Sequence, residues 1–558
     1  VQTCALPICR ADSIARMSRK TGIPTDELLE MVDEGGREQT FIQKPQDAPP
    51  LTTPLAATAP EGDRSLAQTT PVLIVGAGIA GLTAAYRLSQ AGVPVNVIEA
   101  RNRVGGRMQT FQKALSTPLS VELGAEFIDT VHVCIRGLAE ELGLELVDLL
   151  AADEALAVQK TYFFEGRLVP MAEIIRDYAP VAEQIEADKK ASCFASFCRA
   201  RQQDKKHSFP GLVELDNISL SEYLDRIPNT TNTVREIIKA AYTPYYGLDT
   251  EEQSCLNLLD AIGRTPGEFE AFGIGDERFH VRGGNEQIPQ RLAQLVAGSV
   301  ETETVLEAID SLPDGRYRVA IGSGNQVSDR IYERIVLALP FTTLREVRLN
   351  VDLPPLKALA INTVRYGTNS KAIAGYQDKI WRTRYSSKPT FYSDLQVAKA
   401  VWESAESRYT PGPGLITNYL GGTQGLALGS TTPEAHLEGL NSDLERLFPG
   451  ISPRSISFSA HLAYWPGAPW ARGSYLCYGP GEWTRFYGIE DDRVGNIFFA
   501  GEHTSLSDGG TMEGACETGE LAAMEILEDL GFTARAEALR VKRSIVRREG
   551  GSHQGKRI

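Results

Sequence analysis

The chain has 558 residues, 42% hydrophobic and 23% charged, enough to bury a full core and divide into two or three domains. Its 57 basic and 72 acidic residues give a net charge of −15, which argues against nonspecific nucleic-acid binding and weakly favours cationic ligands. The seven histidines and eight cysteines show no metal-ligand spacing, and no apolar run approaches the roughly twenty residues needed to cross a bilayer.

Residues 1–8 read as the in-frame translation of a sequencing adapter, which leaves a signal peptide an open question. A short helix is expected from Thr25 to Val32, and five prolines between Pro45 and Pro60 mark an extended linker, so the ordered fold is expected to begin near Thr69. The apolar strand Val72 to Val75 then meets the turn Gly76-Ala77-Gly78-Ile79-Ala80-Gly81, a GxGxxG. Gly76 suits the tight turn, Gly78 lets backbone approach a pyrophosphate, and Gly81 lets a helix from Ile79 to about Ala91 lie close to the sheet. That helix aims its free N–H groups at phosphate. A second strand, Val95 to Ile98, delivers Glu99, whose carboxylate can accept ribose hydroxyls. The glycine pattern alone is a weak signal; its place between strand, helix and acid makes a dinucleotide site. Ala100 and the turn Arg101 to Arg107 follow, with Gly105, Gly106 and three cations suited to a diphosphate.

Val121 to Ile128 reads by itself as an ordinary strand and turn. From about Thr130 to Asp276 the chain is expected to be rich in helix, with apolar periodicity in Ile135 to Leu146 and Ile237 to Tyr246. Arg282 to Gln287 leads into a helix ending at Leu295. Thr302 to Ile309 reads as a strand returning to the nucleotide domain, and Ile335 to Pro340 as another buried strand. Between about Asn350 and Ser457 the chain leaves for a substrate-binding sheet. A buried strand then ends in Gly501-Glu502, and Gly509 to Ala515 opens a helix. Ala534 to Arg548 reads as a solvated surface helix, and Gly550 to Ile558 as a polar, disordered end.

The run VIEARNRVGGRMQT after VLIVGAGIAGLTAAYRL, with NIFFAGEHT and GGTMEGA near the other end, resembles the flavin-containing amine oxidase family of monoamine, polyamine and L-amino acid oxidases. The resemblance implies an α/β fold in which a Rossmann-like FAD domain (69–129, 277–349, 458–531) interleaves with a substrate domain of mixed sheet and helices (130–276, 350–457). Residues 1–68 and 532–558 flank it. It implies that Gly124, Ala125 and Glu126 pass beside the flavin ring, that Val305 holds adenine through its backbone, and that Glu502 with Gly501 holds the ribityl chain. Thr511 and Met512 are then expected at the pyrimidine edge.

Lys371, ten positions before Trp381, matches the family lysine that holds a water near flavin N5 and assists oxygen chemistry; a lysine on an ordinary strand is the bland reading. Tyr475 matches one wall of an aromatic cage, and Trp465 a tryptophan that supports the flavin, although burial alone would favour such rings. Three positions depart from the family. Ser474 stands where mammalian monoamine oxidases carry the flavin-linked cysteine, so FAD is expected to be noncovalent. Thr511 replaces the second cage tyrosine, which opens the pocket. Phe127 falls where the snake-venom type of amino acid oxidase has its carboxylate-binding arginine.

The implied reaction is hydride transfer from the carbon beside the amine nitrogen to the flavin, hydrolysis of the imine, and reoxidation by O2 giving hydrogen peroxide. L-amino acid oxidation is the near alternative, and a flavin-binding interaction protein without turnover the alternative of another class. The expected partners are a small-molecule amine and either O2 or an electron-acceptor protein, with no nucleic acid and no metal; homodimerisation is open. The composition predicts a soluble, cytoplasmic protein, with export left open.

Overall fold

Every residue of β1 (Val72–Val75) is apolar and buried, as suits a strand covered on both faces. It pairs in parallel with β2 (Val95–Ile98) on one side and β13 (Ile335–Leu337) on the other. Outside these lie β9 (Val300–Glu301) and β20 (Ile497–Phe499), completing a five-stranded parallel sheet in the order β20-β13-β1-β2-β9. Segments more than four hundred positions apart thus meet in one sheet. Helix α1 (Ile79–Gln90) follows β1 through the glycine turn. Gly76 has φ +102°, and a Cβ on Gly81 would lie 2.0 Å from the Gly76 carbonyl oxygen, so neither position admits a side chain. Helix α4 (Met512–Asp529) packs against α1 and also against α2 (Val133–Glu141). The buried Arg87 guanidinium of α1 joins all three by bonding Glu520 at 2.8 Å and Glu141 at 2.9 Å.

The computed structural model describes residues 70–194, 196–198, 209–324, 326–456 and 460–540. The adapter-like start, the helix expected from Thr25 to Val32, the proline-rich linker and the tail past residue 540 lie outside the described residues.

A second sheet of seven strands runs β19-β15-β18-β17-β16-β6-β7. Its members are β6 (Thr161–Phe164), β7 (Arg167–Leu168), β15 (Ser370–Tyr376), β16 (Phe391–Ser393), β17 (Ala400–Glu403), β18 (Gly414–Leu420) and β19 (His461–Tyr464). The stretch from Thr130 to Asp276 is rich in helix as expected, and it also holds β6 and β7, which are too short to show a period among long helices. One correction follows. The stretch after Ser457 supplies β19 to this sheet before it reaches β20. Helix α3 (Asn232–Tyr246) contains the periodic run from Ile237, starts on the Thr231 side-chain cap and ends at Gly247, whose φ is +81°.

The strand expected from Thr302 is β10 (Thr304–Ser311), and it does not join the parallel sheet. Glu303, at φ +52°, breaks the chain after β9, and β10 enters a four-stranded sheet with β11 (Tyr317–Ser323), β12 (Gln326–Tyr332) and β14 (Arg348–Asn350). Two small pairs complete the framework: β3 (Thr110–Phe111) with β4 (Val121–Glu122), and β5 (Leu146–Asp148) with β8 (Phe279–Val281). The described start of the C-terminal tail is a helix with an exposed face, docked by its inner side: Phe532 and Ala536 are buried, Ala534, Glu537 and Ala538 are exposed, and the Arg535 guanidinium donates to the Ala91 carbonyl. Among the described residues no helix is long and apolar enough to cross a membrane.

Candidate active site

One cavity of about 1310 Å³ runs from the glycine turn after β1 to the seven-stranded sheet. That is larger than the roughly 300–1,000 Å³ of a typical small-ligand pocket. At its first end are Gly76, Gly78, Ile79 and Ala80. No side chain caps the N-terminus of α1, and a Cβ on Gly78 would meet nothing within 4 Å, so the first N–H groups of the helix face the cavity as an anion cradle. Glu99 is set by two backbone donors, the Ala77 N–H at 2.8 Å and the Arg101 N–H at 2.9 Å. Ala100, Arg101, Gly106 and Val305 line the same end, whereas Gly81 lies behind the turn.

The middle is built by segments far apart in the chain. Arg107 bonds Glu502 at 2.8 Å and also donates to the Ser474 carbonyl. The other oxygen of Glu502 accepts the Gly510 N–H at 3.0 Å. The Trp465 indole donates to the Leu123 carbonyl at 2.8 Å and stands beside Gly124 and Ala125. Helix α4 starts at Met512, capped by the Thr511 hydroxyl, which accepts the Gly514 N–H at 3.0 Å. Its positive end, with Gly501 nearby, faces the cavity.

At the far end Lys371 rises from β15, a strand buried along its whole length. Its ammonium donates to Glu126 at 2.7 Å and to the Glu122 carbonyl at 3.1 Å. Glu126 also accepts the Trp402 indole N–H at 3.1 Å and the Ala405 N–H at 2.9 Å. The Trp402 ring lies 5.2 Å from Tyr419 and 5.7 Å from Phe127. The hydroxyls of Tyr419 and Tyr475 meet at 3.0 Å, and Tyr475 reaches the Tyr245 carbonyl at 2.8 Å. Burial pushes both phenols well above their ordinary range, so they remain protonated donors.

The structure therefore brings together Lys371, Tyr475, Trp465, Thr511 and Phe127 in one cavity with the cofactor motifs. Trp381, used to place Lys371, is elsewhere: it is fully buried in a separate core and donates to Glu403 at 2.9 Å. Sequence reasoning missed Trp402, Tyr419 and Tyr245. Tyr419 sits opposite Lys371 in the β15–β18 ladder, a register no single-strand pattern reveals. Ser474 donates to Asn369 at 2.6 Å, and Cys477 is buried against Asn257 outside the cavity lining.

A parallel sheet with a phosphate turn, an acid after the second strand and a second sheet closing one shared cavity define a dinucleotide-dependent oxidoreductase. The pattern of the family described as flavin containing amine oxidoreductase matches residues 79–527, and the chain belongs to that family. It is accordingly a flavin-dependent amine oxidoreductase, and the uncapped helix, Glu99 and the long cavity fit FAD.

The chain is similar to human amine oxidase [flavin-containing] B, with 27% identity over 469 residues covering 82% of this chain and 86% of that protein. The dog enzyme of the same name is 26% identical over the same shares. Among solved structures, cyclohexylamine oxidase from Brevibacterium oxydans superposes with a TM-score of 0.69 at 22% identity, covering 83% of this chain and all of that one. A putrescine oxidase bound to putrescine gives 0.68 at 19%, covering 82% and 99%.

Proposed function

We propose that the protein oxidises primary or secondary amines with a noncovalent FAD, releases an imine that hydrolyses to a carbonyl compound, and passes electrons to O2, giving hydrogen peroxide. One observation supports this most: a single cavity holds the phosphate turn at one end and the buried Lys371 beside the Tyr475–Tyr419 pair at the other. When bound, FAD supplies the hydride acceptor and the route for electrons to the final acceptor.

The chain's own residues do the rest. Glu99 and the α1 N-terminus hold ribose and pyrophosphate, and Glu502 holds the ribityl chain. Phe127, Trp402, Tyr419 and Tyr475 strip water from an arriving ammonium, which favours its neutral, reactive form. Lys371, kept in place by Glu126, positions a water for the oxygen step. Ser474 offers no thiol for a covalent link. This division of labour supports the interleaved domain reading, with 69–129, 277–349 and 458–531 on the cofactor side apart from β19.

Amines are favoured over amino acids because Phe127 offers no charge and the Lys371 ammonium is already bonded to Glu126. Anaerobic mixing with panels of amines and of amino acids tests the reading. Flavin bleaching by amines and peroxide formation in air are expected; bleaching by amino acids alone would overturn it.

A further inference from the structure

Helices α2 and α4 bring together two free cysteines 382 positions apart, Cys134 and Cys516, with their sulfurs 3.2 Å from each other. Cys134 is partly exposed and Cys516 fully buried. Around them stand the Glu520 carboxylate, 3.4 Å from the Cys134 sulfur, and the Thr83 hydroxyl, 3.9 Å from that of Cys516. The contact with Cys516 and burial push the Cys134 thiol well above its ordinary range, so Cys134 rests as a thiol.

Neither sulfur belongs to the cavity, but the segments carrying them do. Val131 and His132, just before α2, line it, as do Thr511, Met512 and Ala515, just before Cys516. The two walls already share one noncovalent tie: the Glu513 carboxylate of α4 accepts the N–H groups of Cys134 at 2.9 Å and Ile135 at 2.8 Å, which caps α2.

We propose that Cys134 and Cys516 are a thiol oxidation site that forms a reversible intramolecular disulfide in the presence of a peroxide, clamping the two cavity walls together. Cys134, the less buried of the two, reacts first: its sulfur takes one peroxide oxygen, giving a sulfenic acid and one water. The Cys516 sulfur then attacks that sulfur and displaces the hydroxyl as a second water, forming the S–S bond. Two thiols are oxidised by two electrons, and one peroxide is reduced to two waters. A dithiol reductant reverses the step. The inference rests on the geometry of the pair and stands apart from the choice of substrate.

The full-length holoenzyme is titrated with hydrogen peroxide, its remaining thiols are blocked with maleimide under denaturing conditions, and non-reduced peptides are mapped by mass spectrometry. A peptide pair linked through Cys134 and Cys516 is expected, lost after dithiothreitol, together with slower FAD release from the oxidised protein in urea. In Cys516→Ala, dimedone is expected to trap Cys134 as its sulfenic acid. The exposed Cys193 reports how far oxidation has gone. Full oxidation of Cys193 while Cys134 and Cys516 both remain blockable by maleimide would overturn the site. A linked protein that releases FAD as fast as the reduced one would overturn the clamp. The wild-type map decides the first point even where the variant fails to fold.

Discussion

The Lys371 ammonium lies 2.7 Å from Glu126 Oε2, with the two side chains only 4% and 3% exposed, so one buried ion pair fixes the lysine against the aromatic wall. Glu126 is itself held by Trp402 and the Ala405 N–H, which makes it a rigid partner. The lysine therefore enters the cavity from a fixed point on β15.

Lys371→Met is expected to take up FAD yet be reoxidised by O2 about tenfold more slowly, equivalent to about 1.4 kcal/mol of barrier. It leaves the Glu126 carboxylate buried without its cation, at a cost of about 3 kcal/mol. Adding Glu126→Gln should recover most of the stability and none of the rate. Stopped-flow mixing of the reduced protein with oxygen reads the rate, and an unchanged value removes the oxygen role from this lysine.

Tyr475→Phe removes the hydroxyl that meets Tyr419, Pro244 and Tyr245. The ring keeps its apolar face but loses its anchors, so flavin reduction by amine should slow roughly tenfold through poorer positioning. Because burial holds this phenol protonated, the shape of the pH profile should not change. A profile that loses one ionisation in the variant would show that Tyr475 titrates during reduction.

The cofactor end of the site was legible because its chemistry is local. A phosphate turn needs its glycines, helix start and acid at fixed intervals, so Gly76 to Glu99 announces itself within thirty positions. The Lys371 end of the cavity is assembled by register and by insertions. Tyr419 meets Lys371 only through the β15–β18 pairing, and Trp402 reaches Glu126 from another strand. Nothing in the order of residues reports those encounters. The break at Glu303, which sends β10 to its own sheet, was equally hidden, since a non-glycine at positive φ carries no sequence mark.

Acid precipitation of the purified protein should leave its yellow colour in the supernatant. The Ser474 hydroxyl is occupied with Asn369, and Cys477 points into a buried cluster with Asn257. Neither can form a thioether to a flavin in the cavity. Flavin fluorescence that stays with the protein pellet, or in a tryptic peptide, would contradict the noncovalent reading.

Glu490 provides a pH test of the core behind the site. The residue is 2% exposed, its carboxyl accepts the Tyr478 hydroxyl at 2.8 Å, and burial pushes its pKa up to about 7. In the unfolded chain a glutamate releases its proton near pH 4.3, about the reference value. Between those two values the native state binds more protons, so this group's contribution to stability is full below the window and is lost as pH rises through about 7. The difference amounts to at most about 4 kcal/mol at 1.36 kcal/mol per unit. Glu490→Gln keeps an oxygen for Tyr478 and carries no charge to desolvate, so the variant should gain on the wild type as pH rises from about 5 to about 8. Glu513, also pushed up to about 7, leaves a slope of the same sign in both proteins and cancels from the comparison. Urea unfolding of the two proteins at both pH values measures it, and a difference between them that does not change with pH would mean that Glu490 is already ionised in the folded protein.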